Sequence, residues 1–349
     1  MQIGIDSFVE TSFNPARRAA LDPAGRMRGL LAEIELADQA GLDVFGLGEH
    51  HRPEYLSSAP AVILAAAAAR TRRIRLASAV TVLSSDDPVR VFQDFATLDL
   101  ISGGRAEIIV GRGSFIESFP LFGYELDDYD TLFAEKLELL LQLRDQVEVH
   151  WSGRHRAPLT GQGVYPRPVQ QPLPVRIGVG GTPASVIRAG RLGLPLVLAI
   201  IGGEPHRFRP LLDLYREAGA RAGHPPERLE VGIHFIGFVG DSTAQAADDF
   251  YPAYAEAFTQ IGRERGWGPT TRAQFDALCG PTGALLVGAP ELVAEKILRA
   301  HAALGGFGRV TLLLNGGSIP AAKTLRAIEL LATRVAPLVR AGRGSAPGK

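Results

Sequence analysis

Cysteine is nearly absent from this 349-residue chain: Cys279 stands alone. An internal disulfide is therefore excluded, which suits a reducing compartment. Charge of one sign is lacking too, with 37 basic and 37 acidic residues giving a formal net charge of +0. Nothing in that balance calls for nucleic acid or an anionic membrane as partner. Lysine is scarce, confined to Lys136, Lys296, Lys323 and Lys349, so arginine supplies nearly all the positive charge. We read this as the codon usage of a G+C-rich genome. Long apolar runs are missing: Ala59 to Ala69 contains Pro60, is followed by Arg70, Arg72 and Arg73, and is too short to span a bilayer. Met1-Gln2-Ile3-Gly4-Ile5-Asp6 starts in strand-like alternation without a basic or long apolar leader. A cytoplasmic protein is expected. The hydrophobic fraction of 46% is ample for a sizeable core.

What is present is a regular alternation. Strand patterns at Gln2–Phe8, Asp43–Gly48, Ile74–Val82 and Arg105–Val110 are interleaved with helical patterns at Arg26–Ala40, Ala59–Arg70, Pro88–Leu100 and Asp128–Arg144. The second half continues with strands at Pro174–Val179, Leu196–Ile201, Glu230–Val239 and Arg309–Leu314. Its helices are expected at Pro183–Leu192, Arg207–Ala222, Pro290–Leu304 and Pro320–Leu338. Eight strands alternating with helices predict a single α/β domain over residues 1–340, a (β/α)8 TIM barrel. A doubly wound open sheet competes, because local pattern does not establish closure. Residues 341–349 read as a frayed tail. Two insertions interrupt the units, after helix 4 (Val147–Leu173) and after strand 7 (Asp241–Gly283). Both are rich in aromatic residues, which argues against disorder. They are expected to cover the substrate side of the barrel, with an oligomer contact as the competing reading.

One stretch carries concentrated chemistry. Gly46-Leu47-Gly48-Glu49-His50-His51-Arg52 leaves the second strand at its C-terminal end, where α/β folds place their reactive groups. Two histidines beside a carboxylate can supply a general acid or base. Residues next to each other on an extended segment point to opposite sides, so His50 and His51 should differ in role. Polar loop residues of no special function are the competing reading. A metal site fits poorly: adjacent histidines satisfy neither the helical nor the alternate-residue spacing of ligands, and Cys279 has no partner at such spacing. No metal is expected. Gly180-Gly181-Thr182 opens the fifth helix, where free N–H groups and the positive helix end can hold a phosphate. Ser185 lies three residues on, and Arg112 could add a fixed positive charge. The competing reading of Thr182 is a plain helix N-cap.

Together, Glu49-His50-His51, Ala79-Val80 with Asp87-Pro88-Val89-Arg90, and Ile101-Ser102-Gly103-Gly104-Arg105 leading to Gly111-Arg112-Gly113 resemble the bacterial luciferase-like family. Gly178 to Ser185 and Val287-Gly288-Ala289-Pro290-Glu291-Leu292-Val293 are similar to later signatures of that family, in the family's order. The resemblance implies a (β/α)8 barrel and a flavin-dependent monooxygenase or oxidoreductase. It implies reduced FMN as cosubstrate, O2, a small organic substrate, a flavin (hydro)peroxide and a separate flavin reductase. By the same resemblance, Arg112, Thr182 and Ser185 contact the FMN phosphate, and Gly111, Gly180 and Gly181 belong to the cofactor site. A non-proline cis peptide at Ala79-Val80 would lie under the isoalloxazine ring. His50 acts near the reactive edge, with His51 supporting it and Glu49 orienting one of them or meeting a partner subunit. Light emission is not implied, because Gly111 stands where the luciferases proper carry a reactive cysteine. A homodimer pairing through Arg26–Ala40 and Ala59–Arg70 is expected. The alternatives are a deazaflavin-dependent dehydrogenase or reductase on the same barrel, and a non-catalytic flavin-binding protein.

Overall fold

A computed structural model describes residues 1–314 and 318–344 of the chain. Eight parallel strands form its centre: β1 (Gln2–Ser7), β2 (Val44–Leu47), β3 (Arg75–Ser78), β4 (Ala106–Gly111), β5 (Val175–Val179), β6 (Leu196–Ile200), β7 (Val231–Val239) and β8 (Arg309–Leu313). The sheet closes on itself, since β8 pairs with β7 and with β1, with Gln2 opposite Arg309 and His234 opposite Thr311. Closure excludes the open doubly wound sheet. Eight helices surround it: α1 (Pro23–Ala40), α2 (Pro60–Ala68), α3 (Pro88–Ser102), α4 (Tyr129–Asp145), α5 (Pro183–Arg191), α6 (Arg209–Arg221), α7 (Pro290–Ala303) and α8 (Ala321–Leu330). The strands are buried on both faces, which is why they read as nearly continuous apolar runs rather than clean alternations.

Local chemistry sets the element ends. Gly41, at φ 88°, stops α1 in a left-handed conformation that a side chain would resist. Asp87 caps α3 by accepting from the Val89 amide. Three sequence expectations need refinement. The third strand stops at Ser78, the peptide between Ala79 and Val80 is cis, and pairing with β4 resumes at Thr81–Val82. The closing helix, expected as one piece over Pro320–Leu338, contains a π-turn at Leu331–Val335 before resuming as Ala336–Gly344. Pro337 has no N–H for the carbonyl four residues back and its ring crowds it, so the preceding turn widens. That last helix extends four residues into the segment expected to fray, while residues 345–349 lie outside the described residues.

Both insertions are present. The first forms an antiparallel hairpin, Glu148–Trp151 with Leu159–Gly163. The second forms two helices, Thr243–Glu264 and Arg272–Cys279, and just beyond it a short strand, Leu286–Gly288, pairs with the end of β7. Neither the hairpin nor that three-residue strand was legible in the sequence, because each is too short to show a period. Among the described residues no helix is long and apolar enough to cross a membrane.

The barrel interior is layered. At the N-terminal end, Glu107 is fully enclosed by Arg309, Arg176 and Arg75, with Arg309 Nη2 3.0 Å and Arg176 Nε 3.0 Å from its carboxylate oxygens. Above it Val44, Ala77 and Ile109 form a small apolar plug, with Val80 and Val197 packed against it. Nearer the C-terminal mouth the inward positions carry little bulk, and the cavity described below opens there.

The charged layer carries a stability prediction. Burial alone would raise the Glu107 pKa, but the three arginines outweigh it and hold the group at about 2, below its ordinary 4.5. A lowered carboxylate pKa stabilises the fold above the unfolded value, and that contribution disappears as pH falls from about 4.5 toward 2. Glu107→Gln removes the shared counter-charge and should cost roughly 3–5 kcal/mol at pH 7. Urea denaturation at pH 7 and pH 3 should show this loss shrinking with acidity. A cost below about 1 kcal/mol at pH 7 would contradict the role given to Glu107.

Candidate active site at the mouth of the barrel

At the C-terminal ends of the strands lies a cavity of about 440 Å³, within the size range of small-ligand sites. Its walls are thin because the strands end in small residues: Ala79, Gly111, Gly178, Gly180 and Ala199 all line it. The Val80 side chain takes the space these residues release. A methyl group added at Gly111 would sit 2.5 Å from one Val80 methyl, and one at Gly178 would sit 2.6 Å from the other. Val80 thus forms a shelf across the cavity wall, held by two glycines that cannot be enlarged. Two larger hollows, about 850 Å³ between α4 and α5 and about 900 Å³ at the opposite end of the barrel, contain none of the sequence-predicted site residues.

One end of the cavity is built for an anion. Arg112 follows β4, and its Nη2 donates to the Thr182 hydroxyl at 3.1 Å. Asp130 accepts from Nη1 at 2.6 Å, and the guanidinium lies 5.0 Å from the Tyr129 ring centroid. Arg112, Gly180, Thr182 and Ser185 all line the cavity at the start of α5. Gly181, between Gly180 and Thr182, has φ 121°, a conformation a side chain would resist, but is not itself part of the lining. Thr182 occupies the N-cap position of α5 without making a side-chain cap bond. The plain N-cap reading therefore fails, and its hydroxyl faces Arg112 instead.

The Glu49-His50-His51 segment lies at the other side. Glu49 is buried; its Oε2 accepts the Val82 amide at 2.8 Å and its Oε1 lies 2.9 Å from His51 Nε2. One carboxylate thereby ties the histidine segment to the chain beyond the Val80 shelf. His50 and His51 diverge as the extended geometry required, His50 lining the cavity and His51 turning away from it. The His50 ring sits in an aromatic box, 4.3 Å from Tyr55, 4.6 Å from Phe8 and 5.4 Å from Phe115 between centroids. Its ring nitrogens make no hydrogen bond to any described residue. Burial, reinforced by the positive charge of His51 and Arg52, pushes its pKa down to about 3. At neutral pH His50 is an uncharged imidazole. Burial likewise keeps Tyr55 a phenol, and burial next to Glu49 raises Asp86 to about 7.

A cluster centred on Arg52 ties the second insertion to the histidine segment. Arg52 donates to Glu264 through both terminal nitrogens at 2.7 and 2.6 Å, to Glu117 at 3.1 Å and to Glu54 at 3.2 Å. It also lies 4.6 Å from the Phe115 ring centroid. Glu264 ends the long helix of the second insertion, so this cluster pins that helix over the histidine segment. Glu256 on the same helix accepts from Ser12, Asn14 and Arg17. Arg265, next along, lines the cavity. The second insertion thus covers the site as expected. The first does not: its hairpin lines no part of the cavity and reaches instead to Asp87 and Glu135 on the outer helices.

The sequence reading missed Asp6, Phe8, His234 and Arg265, all of which line the cavity. His234 had a usable signal, as the single polar side chain among the nine residues of β7. Arg265 had none, since only folding brings the end of the insertion helix over the barrel.

A flat, phosphate-bearing cofactor suits these residues. Arg112 with the Thr182 and Ser185 hydroxyls at a helix start matches a phosphate, and the open space around Gly180 and Gly181, where no atom comes within 4 Å of an added Cβ, admits it. Among the described residues no three His, Cys, Asp or Glu side chains cluster as a metal would need.

Comparison with known proteins places this geometry. The model of the luciferase-like monooxygenase family matches residues 10–306. 4-Hydroxyprotoasukamycin monooxygenase of Streptomyces nodosus subsp. asukaensis is 28% identical over 341 residues, covering 91% of this chain and 89% of that protein. An uncharacterised Sinorhizobium fredii protein, y4wF, is 35% identical over 226 residues, 64% of this chain and 65% of that protein. Among solved structures, the monooxygenase RslO1 of Streptomyces bottropensis superposes with a TM-score of 0.85 at 26% identity, covering 97% of this chain and 99% of that one. The fold is shared with the oxygenating constituent of Pseudomonas putida 3,6-diketocamphane monooxygenase, solved with FMN (TM-score 0.78, 20% identity, 97% and 98% covered). It is shared equally with an F420-dependent secondary alcohol dehydrogenase (TM-score 0.75, 18% identity, 97% and 99% covered).

The Arg52 cluster gives a test of that tie. Arg52→Ala leaves Glu54, Glu117 and Glu264 without their common partner and should ease local opening of the insertion by roughly 1–2 kcal/mol, a 5–30-fold gain in the open population. Trypsin should then cut after Arg263 or Arg265 correspondingly faster than in the wild type. Unchanged cleavage there would show that Arg52 does not hold the insertion down.

Proposed function

The chain belongs to the luciferase-like monooxygenase family, and on that footing we propose that it is a monooxygenase that uses reduced FMN and O2 on a small organic substrate. A separate flavin reductase supplies the reduced FMN. The Arg112–Thr182 hydrogen bond carries this reading, because it gathers a monophosphate-sized donor set at one end of a cavity whose other end holds His50. Bound reduced FMN supplies the electrons that activate oxygen. The chain's own groups do the rest. Arg112, Thr182 and Ser185 hold the phosphate, and the Val80 shelf supports the flat ring. His50, uncharged in its aromatic box, offers a hydrogen bond at the reacting edge without bringing in a charge. Phe8, Tyr55 and Phe115, together with the insertion tied down by Arg52, keep water from that edge.

Anaerobic titration tests the cofactor. Reduced FMN should bind more tightly than oxidised FMN, whereas tight binding of a deazaflavin with rejection of FMN would transfer the chain to hydride chemistry. Arg112→Ala should weaken FMN binding about 10–100-fold while barely changing the affinity for riboflavin, which lacks the phosphate. An equal loss for both ligands would refute the phosphate assignment. A screen of aldehydes, ketones, amines and sulfur compounds for O2 uptake above the free-flavin background identifies the substrate class. His50→Ala should then bind flavin normally and lose 100-fold or more in turnover; full retention of turnover would remove His50 from the mechanism.

A further inference from the structure

The cavity has a second histidine, which like His50 neighbours the Phe8 ring. His234 projects from β7 and stacks nearly parallel to the Phe8 ring, 6.2 Å away at 10°. Its Nδ1 lies 2.6 Å from Asp6 Oδ2, and the Thr311 hydroxyl donates to the same oxygen at 2.5 Å. All three side chains are buried, and neighbouring strands deliver them to one level of the barrel: Thr311 lies opposite His234 in register, and Asp6 reaches across from β1. Gly46 makes the space, since a Cβ there would fall 2.1 Å from Asp6 Oδ1. Asp6 and His234 both line the cavity, and Nε2 of His234 bonds to no described residue.

This geometry fixes the tautomer. A carboxylate only accepts, so Nδ1 must carry a hydrogen, and Nε2 is the ring nitrogen left without a partner among the described residues. The surroundings of the two histidines differ in the one respect that matters for proton uptake. His50 is buried in an aromatic box beside Arg52, so it stays a neutral imidazole with a single N–H near neutral pH. His234 instead has the Asp6 carboxylate at hydrogen-bond distance from Nδ1. Paired groups in opposed environments mark the division of acid–base work.

We propose that His234 is the group that takes up and returns a proton in this cavity, with Asp6 and Thr311 as its positioning partners. A substrate O–H or N–H bond breaks as the Nε2–H bond forms; the imidazolium remains against the Asp6 carboxylate, which stays ionised, and the proton returns when product forms. The reaction served is the flavin-dependent one proposed above, but the dyad itself rests on its own geometry.

Ring-15N NMR of the full chain labelled at histidine tests the dyad without flavin, with the His234 signals confirmed by their loss in His234→Gln. Wild type should show a protonated Nδ1 and an unprotonated Nε2 at neutral pH. Asp6→Asn should make the Nε2–H form the major one, while Thr311→Val, which keeps the carboxylate, should leave the wild-type pattern. A protonated Nε2 in wild type, or an unchanged pattern in folded Asp6→Asn, overturns the proposal. Should Asp6→Asn fail to fold, the wild-type and Thr311→Val spectra decide it. Anaerobic addition of reduced FMN should then move the Nε2 resonance and leave Nδ1 nearly fixed; an unmoved Nε2 with FMN bound shows that His234 does not face the occupied cavity and overturns the proposal. Absence of any FMN binding, read separately from flavin fluorescence after reoxidation, refutes the flavin reading and leaves the tautomer to decide the dyad.

Discussion

The contact of the Val80 side chain with Gly111 and Gly178 is the constraint on which the upper half of this barrel depends. Eight-stranded barrels ordinarily fill their interior with side chains. Here two strands contribute no side chain where Val80 rests, and the saved volume becomes a cavity instead of a packed layer. Enlarging either glycine would drive a methyl group into Val80, so the shelf and the glycines must change together or not at all. Glu49 reinforces the arrangement through the Val82 amide and His51, so the wall of the cavity and the histidine segment share one anchor.

Such an open upper layer needs compensation below. The N-terminal half of the interior is closed by Glu107 and its arginines, with the apolar plug of Val44, Ala77 and Ile109 above them. A single buried carboxylate serving three guanidinium groups is rigid because no partner can leave without exposing uncompensated charge. Stability and chemistry are thereby assigned to opposite ends of the same strands.

Much of this was legible in the sequence. The strand-helix order gave eight units, because strands buried on both faces and helices closed by glycine leave strong local patterns. His50, Arg112 and Thr182 were singled out, and the structure brings all three to the lining of one cavity. What escaped was non-local. Asp6 and His234 lie 228 residues apart, and only barrel closure sets them 2.6 Å from each other. Arg52 was given no role, since its partner Glu264 belongs to an insertion whose path no periodicity reveals. The segment after helix 4 misled in the opposite direction: a long ordered connection suggested a cover for the site, whereas it bonds to Asp87 and Glu135 on the outer helices through Arg156 and the Arg154 amide. The hydroxyl of Thr182 shows the same limit at short range, because an N-cap and a phosphate ligand use identical residues.

The account centres on one statement, that a flavin phosphate sits between Arg112 and the start of α5 with the ring lying on the Val80 shelf toward His50. A crystal structure of the chain grown with FMN tests it most directly. The phosphate should lie within hydrogen-bond distance of Arg112, Thr182 and Ser185, and the ring should contact Val80. Ordered FMN in the opposite mouth among Arg176 and Arg309, or with its phosphate directed at His50, would contradict the account.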